Sequence, residues 1–183
     1  GQHQNGLEVL SEDRFSILKG KNVAVVVNHT SVNYHDDHLI KLAHDEGVRI
    51  KAVFSPEHGF KGVLGAGEEV KDGIEPITRA PIYSLYGKEK KPTYEMLDGL
   101  DMLVFDMQDI GVRYYTYLST LTYILEAAAE NGIPVLILDR INPLGRSVQG
   151  PILELEFASF VGMHPIPVRH GMTFGELAEM INR

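Results

Sequence analysis

Two short apolar runs in this 183-residue chain empty abruptly into polar residues. Val53–Phe54 leads into Ser55–Pro56–Glu57–His58–Gly59, and Leu103–Val104–Phe105 leads into Asp106–Met107–Gln108–Asp109–Ile110–Gly111–Val112–Arg113–Tyr114–Tyr115–Thr116–Tyr117. Carboxylates, an imidazole, an amide, a guanidinium and tyrosines behind buried strands are the groups of proton transfer and polar-ligand binding, and an α/β enzyme presents them at strand ends. Two further runs do the same: Val23–Val27 delivers Asn28–His29–Thr30–Ser31, and Ile133–Leu138 delivers Asp139–Arg140. Glu57, Asp106, Asp109 and Asp139 therefore leave strands toward one shared rim. Two carboxyl groups about a cleft are what glycoside hydrolysis uses, one as protonated acid and one as charged partner. Tyr114, Tyr115 and Tyr117 offer ring faces and hydroxyls to a sugar, with packing of the following helix start as the alternative. Asn28 is a candidate ligand contact, and capping of the next helix is the alternative it shares with Thr30 and Ser31.

Other chemistries find less support in the residues. After the first strand there is no G-x-G-x-x-G, and no G-K-[ST] occurs anywhere, so a nucleotide cofactor lacks its phosphate turn. Gly65–Ala66–Gly67 lies in a glycine-rich stretch, Gly59–Ala80, that reads either as a flap over the cleft or as an ordinary surface loop. The histidines match no zinc spacing, and His35, His38 and His44 fall around a helix that reads as solvated; no metal and no cofactor are expected. Glu57–His58 is kept for acid/base work or substrate contact. A serine hydrolase would need a G-x-S-x-G elbow, which is missing.

These groups need a scaffold, and the apolar pattern supplies one. Strands are expected at Val23–Val27, Val48–Phe54, briefly around Ile82–Leu85, Met102–Phe105 and Ile133–Leu138. Helices are expected at His38–His44 and at Leu118–Asn131, where Leu118, Leu121, Leu125 and Ala128 share a face. Strands apolar on both faces and alternating with helices call for a doubly wound, mainly parallel sheet with helices on each side, a three-layer α/β structure. From Asn142 to His170 the chain is proline-punctuated and irregular, and Thr173 with Glu176 forms a capping box for a helix beginning near Phe174. The chain reads as the N-terminal part of a longer protein.

Composition narrows the partners. An apolar content of 44% suffices for a core without disulfides, and there is no cysteine for thiol chemistry. A net charge of −8, with no basic cluster beyond Lys88–Lys91, disfavours a nucleic-acid partner. No apolar run approaches the length of a membrane span.

Three segments in this order, Ser55–Pro56–Glu57–His58–Gly59–Phe60, Val104 through Tyr117, and Leu138–Asp139–Arg140–Ile141–Asn142–Pro143–Leu144–Gly145, resemble the bacterial exo-β-N-acetylmuramidase family. Gly150–Pro151 and Gly171–Met172–Thr173–Phe174–Gly175–Glu176–Leu177 extend the resemblance over nearly the whole chain. It implies a Rossmann-like N-terminal catalytic domain over residues 1–183, followed by a smaller C-terminal domain with the cleft between them. It further implies removal of terminal non-reducing N-acetylmuramic acid from peptidoglycan fragments during cell-wall turnover, by a protein exported to the periplasm or cell surface. Joined to the residue reading, Glu57 is expected as general acid, held protonated beside Phe54 and Phe60, with Asp109 or else Asp106 as the charged partner. Arg113 or Arg140 is expected to clamp the lactyl carboxylate, unless each serves as structural partner of Asp106 or Asp139. His58, Gln108 and Tyr115 are expected on sugar hydroxyls or the N-acetyl group, with Tyr117, Asp139 and Asn28 also lining the substrate. A non-catalytic sugar-binding module and a nucleotide-using α/β enzyme stand as the alternatives.

Overall fold

The computed structural model describes residues 6–56, 73–85, 90–108 and 114–138, the side chains of 114–116 excepted. Among the described residues five strands form one sheet: β1 (Asn22–Val27), β2 (Arg49–Ser55), β3 (Ile82–Ser84), β4 (Met102–Asp106) and β5 (Val135–Ile137). Their spatial order is β3-β2-β1-β4-β5 and every pairing is parallel. Four helices among the same residues accompany them: α1 (Gly6–Glu12), α2 (Leu39–Asp45), α3 (Tyr94–Leu97) and α4 (Tyr114–Asn131), with a 3-10 turn at Ser16–Leu18.

A parallel sheet must be covered on both faces, and alternation along β1 shows how. Val23, Val25 and Val27 pack with Leu7 and Leu10 of α1 and Leu39, Ile40 and Ala43 of α2. Ala24 and Val26 point the other way, onto Leu118, Leu121, Ile124, Leu125 and Ala128 of α4 and Leu97 of α3. The layers are thus helices, sheet, helices, as the alternating pattern requires. In β2, Ile50 and Ala52 are two residues apart yet pack on opposite faces. The cause is a register shift between Val23 and Ala24, where β1 passes from pairing with Ile50 to pairing with Ala52.

α2 and α4 are stopped in the same way. After α4, Gly132 adopts φ +65°, the Ile133 N–H reaches the Ala128 carbonyl at 2.9 Å, and Ile133 and Ala128 join one apolar cluster. After α2, Gly47 adopts φ +83° and the Val48 N–H reaches the Ala43 carbonyl at 3.0 Å. A left-handed residue followed by an apolar one is a Schellman stop, and glycine takes that conformation without Cβ strain. It turns each helix directly back toward the sheet.

The expected elements are present, with shifted ends. β5 is shorter than the run Ile133–Leu138 because Ile133 is used in the helix stop and Pro134 donates no hydrogen bond. α4 begins at Tyr114, four residues before Leu118, so Tyr115 and Tyr117 belong to its first turn. α1, α3 and the 3-10 turn were not foreshadowed, since they bury only two, one and one residues and so mark no apolar period. The expected elements beyond Leu138 and most of the Gly59–Ala80 stretch lie outside the described residues. Its described end, Gly73–Ala80, is a turn closed around buried Glu75, which accepts from the N–H groups of Ile77 and Thr78 and from the Thr78 hydroxyl.

Candidate functional site at the carboxyl edge of the sheet

The parallel register brings the strand exits to one edge. Val26 pairs with Phe54 and with Phe105, Val27 pairs with Asp106, and Phe105 pairs with Ile137. Asn28, Pro56, Met107 and Leu138 therefore leave the sheet side by side. α2 follows β1 onto one face while α4 follows β4 onto the other, so the chain reverses its winding between β1 and β4. Ligands of open α/β sheets bind at such a switch point.

Across this point the two exits are bonded together. The Thr30 N–H donates to Asn28 Oδ1 at 2.8 Å, an Asx-turn, and the Thr30 hydroxyl donates to the same oxygen. Thr30 Oγ1 in turn accepts from the Gln108 N–H at 2.8 Å, joining the β1 exit to the β4 exit. Fully buried Ser31 donates its hydroxyl to the Asp106 carbonyl and accepts from the Asn28 N–H at 3.1 Å. His38 closes the loop behind. Its Nδ1 accepts from the Ile40 N–H at 3.1 Å, capping α2, which leaves the proton on Nε2 to donate to the Asn28 carbonyl at 2.9 Å.

Three expectations change with this geometry. Asn28, Thr30 and Ser31 do not cap α2; His38 does, and the other three tie β1 to β4. His38 is not on a solvated surface but 7% exposed, unlike exposed His35 and His44. Tyr117 does not offer its ring face to a sugar: it is buried and meets Phe105 edge-on, centroids 5.4 Å apart at 87°. Asp106 is fully buried at the end of β4, on the face it shares by register with Val27, and its own carbonyl holds Ser31.

Among the expected site residues the structure brings together Asn28 and Gln108, both half-buried, through Thr30. Glu57, His58, Asp109, Arg113, Asp139 and Arg140, and the side chain of Tyr115, lie outside the described residues. The last described residues before them, Pro56, Gln108 and Leu138, all stand at this edge. Thr30, Ser31 and His38 are the residues whose roles the sequence reading missed. The Asn28–Thr30 spacing was a local signal for the Asx-turn, whereas the partner 78 positions away at Gln108 left none.

The first turn also bears on cofactors. A dinucleotide fold needs bare glycine backbone there, and here Asn28 and Thr30 fill it with side chains bonded to one another. The hydroxyls of Thr30 and Ser31 are likewise committed to Asn28, Gln108 and Asp106.

Comparison with known proteins decides the family. Residues 23–183 match the model of the N-terminal region of the exo-beta-N-acetylmuramidase NamZ. The chain belongs to this family. A peptidoglycan beta-N-acetylmuramidase NamZ of Bacillus subtilis (strain 168) is 48% identical over 182 residues, 98% of this chain and 44% of that protein. Two crystal structures of DUF1343 family proteins from Bacteroides fragilis share the fold. One has TM-score 0.72 and 42% identity, covering 98% of this chain and 45% of its own. The other has TM-score 0.69 and 39% identity, covering 100% and 47%. The chain thus spans less than half the length of each relative. Among the described residues no helix is long and apolar enough to cross a membrane.

Proposed function

We propose that this chain is the N-terminal, catalytic part of an exo-β-N-acetylmuramidase, releasing terminal N-acetylmuramic acid from the non-reducing end of peptidoglycan fragments in the periplasm or at the cell surface. The observation that carries it is 48% identity, over 98% of the chain, to a protein named for that activity. The switch-point edge, at which every candidate carboxylate segment departs, supports the placement of the chemistry. A C-terminal domain, in the length that the relatives have beyond this chain, would form the opposite wall of the cleft.

In this reading Glu57 protonates the glycosidic oxygen as its bond to the anomeric carbon breaks, and a carboxylate stabilises the positive charge that develops on the sugar. Water completes hydrolysis. Burial of Asp106 favours Asp109 as that carboxylate, with Asp106 anchoring the exit loop. His58, Gln108, Tyr115 and Asn28 contact hydroxyls or the acetamido group, Asp139 lines the same rim, and Arg113 or Arg140 takes the lactyl carboxylate.

The test is the full-length protein on a chromogenic N-acetylmuramide beside the matching N-acetylglucosaminide. Release of chromophore from the muramide, with much less from the glucosaminide, is expected. Tight muramide binding without turnover would replace the hydrolase with a sugar-binding module.

A further inference from the structure

The Thr30 hydroxyl has one proton and two neighbours, and both bonds have forced directions. Asn28 Oδ1 must accept, because the backbone N–H of Thr30 also donates to it; the Thr30 hydroxyl therefore donates to Asn28. The Gln108 N–H can only donate, so Thr30 Oγ1 accepts from it at 2.8 Å. With Oδ1 occupied by two donors, the Asn28 carboxamide has a fixed orientation, and no described residue takes up its Nδ2 protons. On the other side of the switch point, the Gln108 peptide is held where β4 ends and the segment carrying Asp109 begins.

We propose that Thr30 is a positioning residue that sets both rims of the switch point at once, presenting the Asn28 amide donors to an acceptor oxygen of the sugar and fixing the β4 exit from which Asp109 departs. The inference rests on the hydrolase reading for its catalytic consequence. Its geometric content stands on the two hydrogen bonds alone. The acceptors an N-acetylmuramyl residue offers are its hydroxyls, its acetamido carbonyl and its lactyl carboxylate, and an oriented amide N–H serves any of them without adding charge.

Thr30→Val keeps the shape and the β-branch but removes both bonds; Thr30→Ser keeps the hydroxyl. In the full-length protein Thr30→Val is expected to lower kcat/KM on the muramide about 10- to 100-fold, the size of effect that a small misplacement of reacting groups produces, with kcat falling more than KM rises. Thr30→Ser should restore most of that loss. Amide hydrogen exchange gives the reading independent of activity. In Thr30→Val the Gln108 amide should exchange faster while Val25 and Val104 amides in the strands keep their protection, because the lesion is local. Unchanged protection at Gln108, a kcat within twofold of wild type, or an equal loss in Thr30→Ser would each overturn the proposal. A wild-type protein that hydrolyses nothing would sink the hydrolase reading instead, and the exchange comparison would still decide whether Thr30 holds the exit.

Discussion

At the scale of single residues, the carboxyl edge divides into side chains that hold the loops and side chains to which the proposed function gives the ligand. Ser31, His38 and Asp106 are buried and engaged with the fold. Asn28 and Gln108 are half-buried, and Glu57 follows the buried pair Ser55–Pro56 at the same edge. A general acid is the residue whose loss removes a proton rather than a shape. Glu57→Gln in the full-length protein is therefore expected to leave the melting temperature near wild type and lower turnover about 100-fold or more. Melting curves and initial rates on the muramide check this together, and near-wild-type turnover would remove Glu57 from the mechanism. The types of residue at this site were legible in the sequence because strands buried on both faces leave polar residues only at their exits. Their division of labour was not. Whether Ser31 caps a helix or holds the Asp106 carbonyl depends on a partner 75 residues away, and local spacing carries no trace of it.

At the scale of elements, α4 covers one face of the sheet. It carries Tyr117, Leu118, Leu121, Ile124, Leu125, Ala127 and Ala128 into the core and runs from the exit of β4 to the entry of β5. Leu121 is fully buried, so Leu121→Ala is expected to cost about 2–5 kcal/mol through lost burial and the cavity left behind, read by denaturant unfolding. Near its other end the helix is tied to the segment before α3 by Lys91, which bonds Glu126 at 3.0 Å and Glu130 at 2.7 Å. The bond to Glu130 chiefly, opposed by partial desolvation and aided by Glu126, raises the Lys91 pKa above the ordinary lysine value. A raised lysine contributes stability that is fully present at neutral pH and is lost as pH rises through the raised value. Lys91→Met is thus expected to cost about 0.2–1 kcal/mol at neutral pH and low salt, with the difference vanishing in strong alkali and shrinking with added salt. A difference that grows with pH would show that the pair does not behave as an ion pair in solution. The elements themselves were readable wherever a period had room to repeat, as in α4 and the four longer apolar runs. α1 and α3 were not, since α1 buries only Leu7 and Leu10 and α3 only Leu97, whereas α2, as short as α1, marks its face with Leu39, Ile40 and Ala43.

At the scale of the whole molecule, the sequence carries a net charge of −8, and the proposed substrate carries a carboxylate on its lactyl group. An acidic surface repels an anionic sugar, so the edge must supply local positive charge to hold it. Arg113 and Arg140 are the arginines that follow the exits of β4, which borders the switch point, and of its neighbour β5. Only a guanidinium grips a carboxylate with two parallel hydrogen bonds, and one such clamp suffices for one carboxylate. One of the two arginines should therefore matter far more than the other. Replacing the clamping arginine with Ala is expected to weaken muramide recognition by about 2–5 kcal/mol, the range for breaking a buried, hydrogen-bonded charge pair, while the uncharged glucosaminide is affected much less. Lys at that position should rescue part of the loss, because it offers a point charge without the planar fork. The measurement is the ratio of kcat/KM on the two sugars for each variant of the full-length protein. Equal loss on both sugars from both Ala variants would make the arginines structural partners of Asp106 and Asp139. Recognition of the lactyl group would then have to come from elsewhere in the protein.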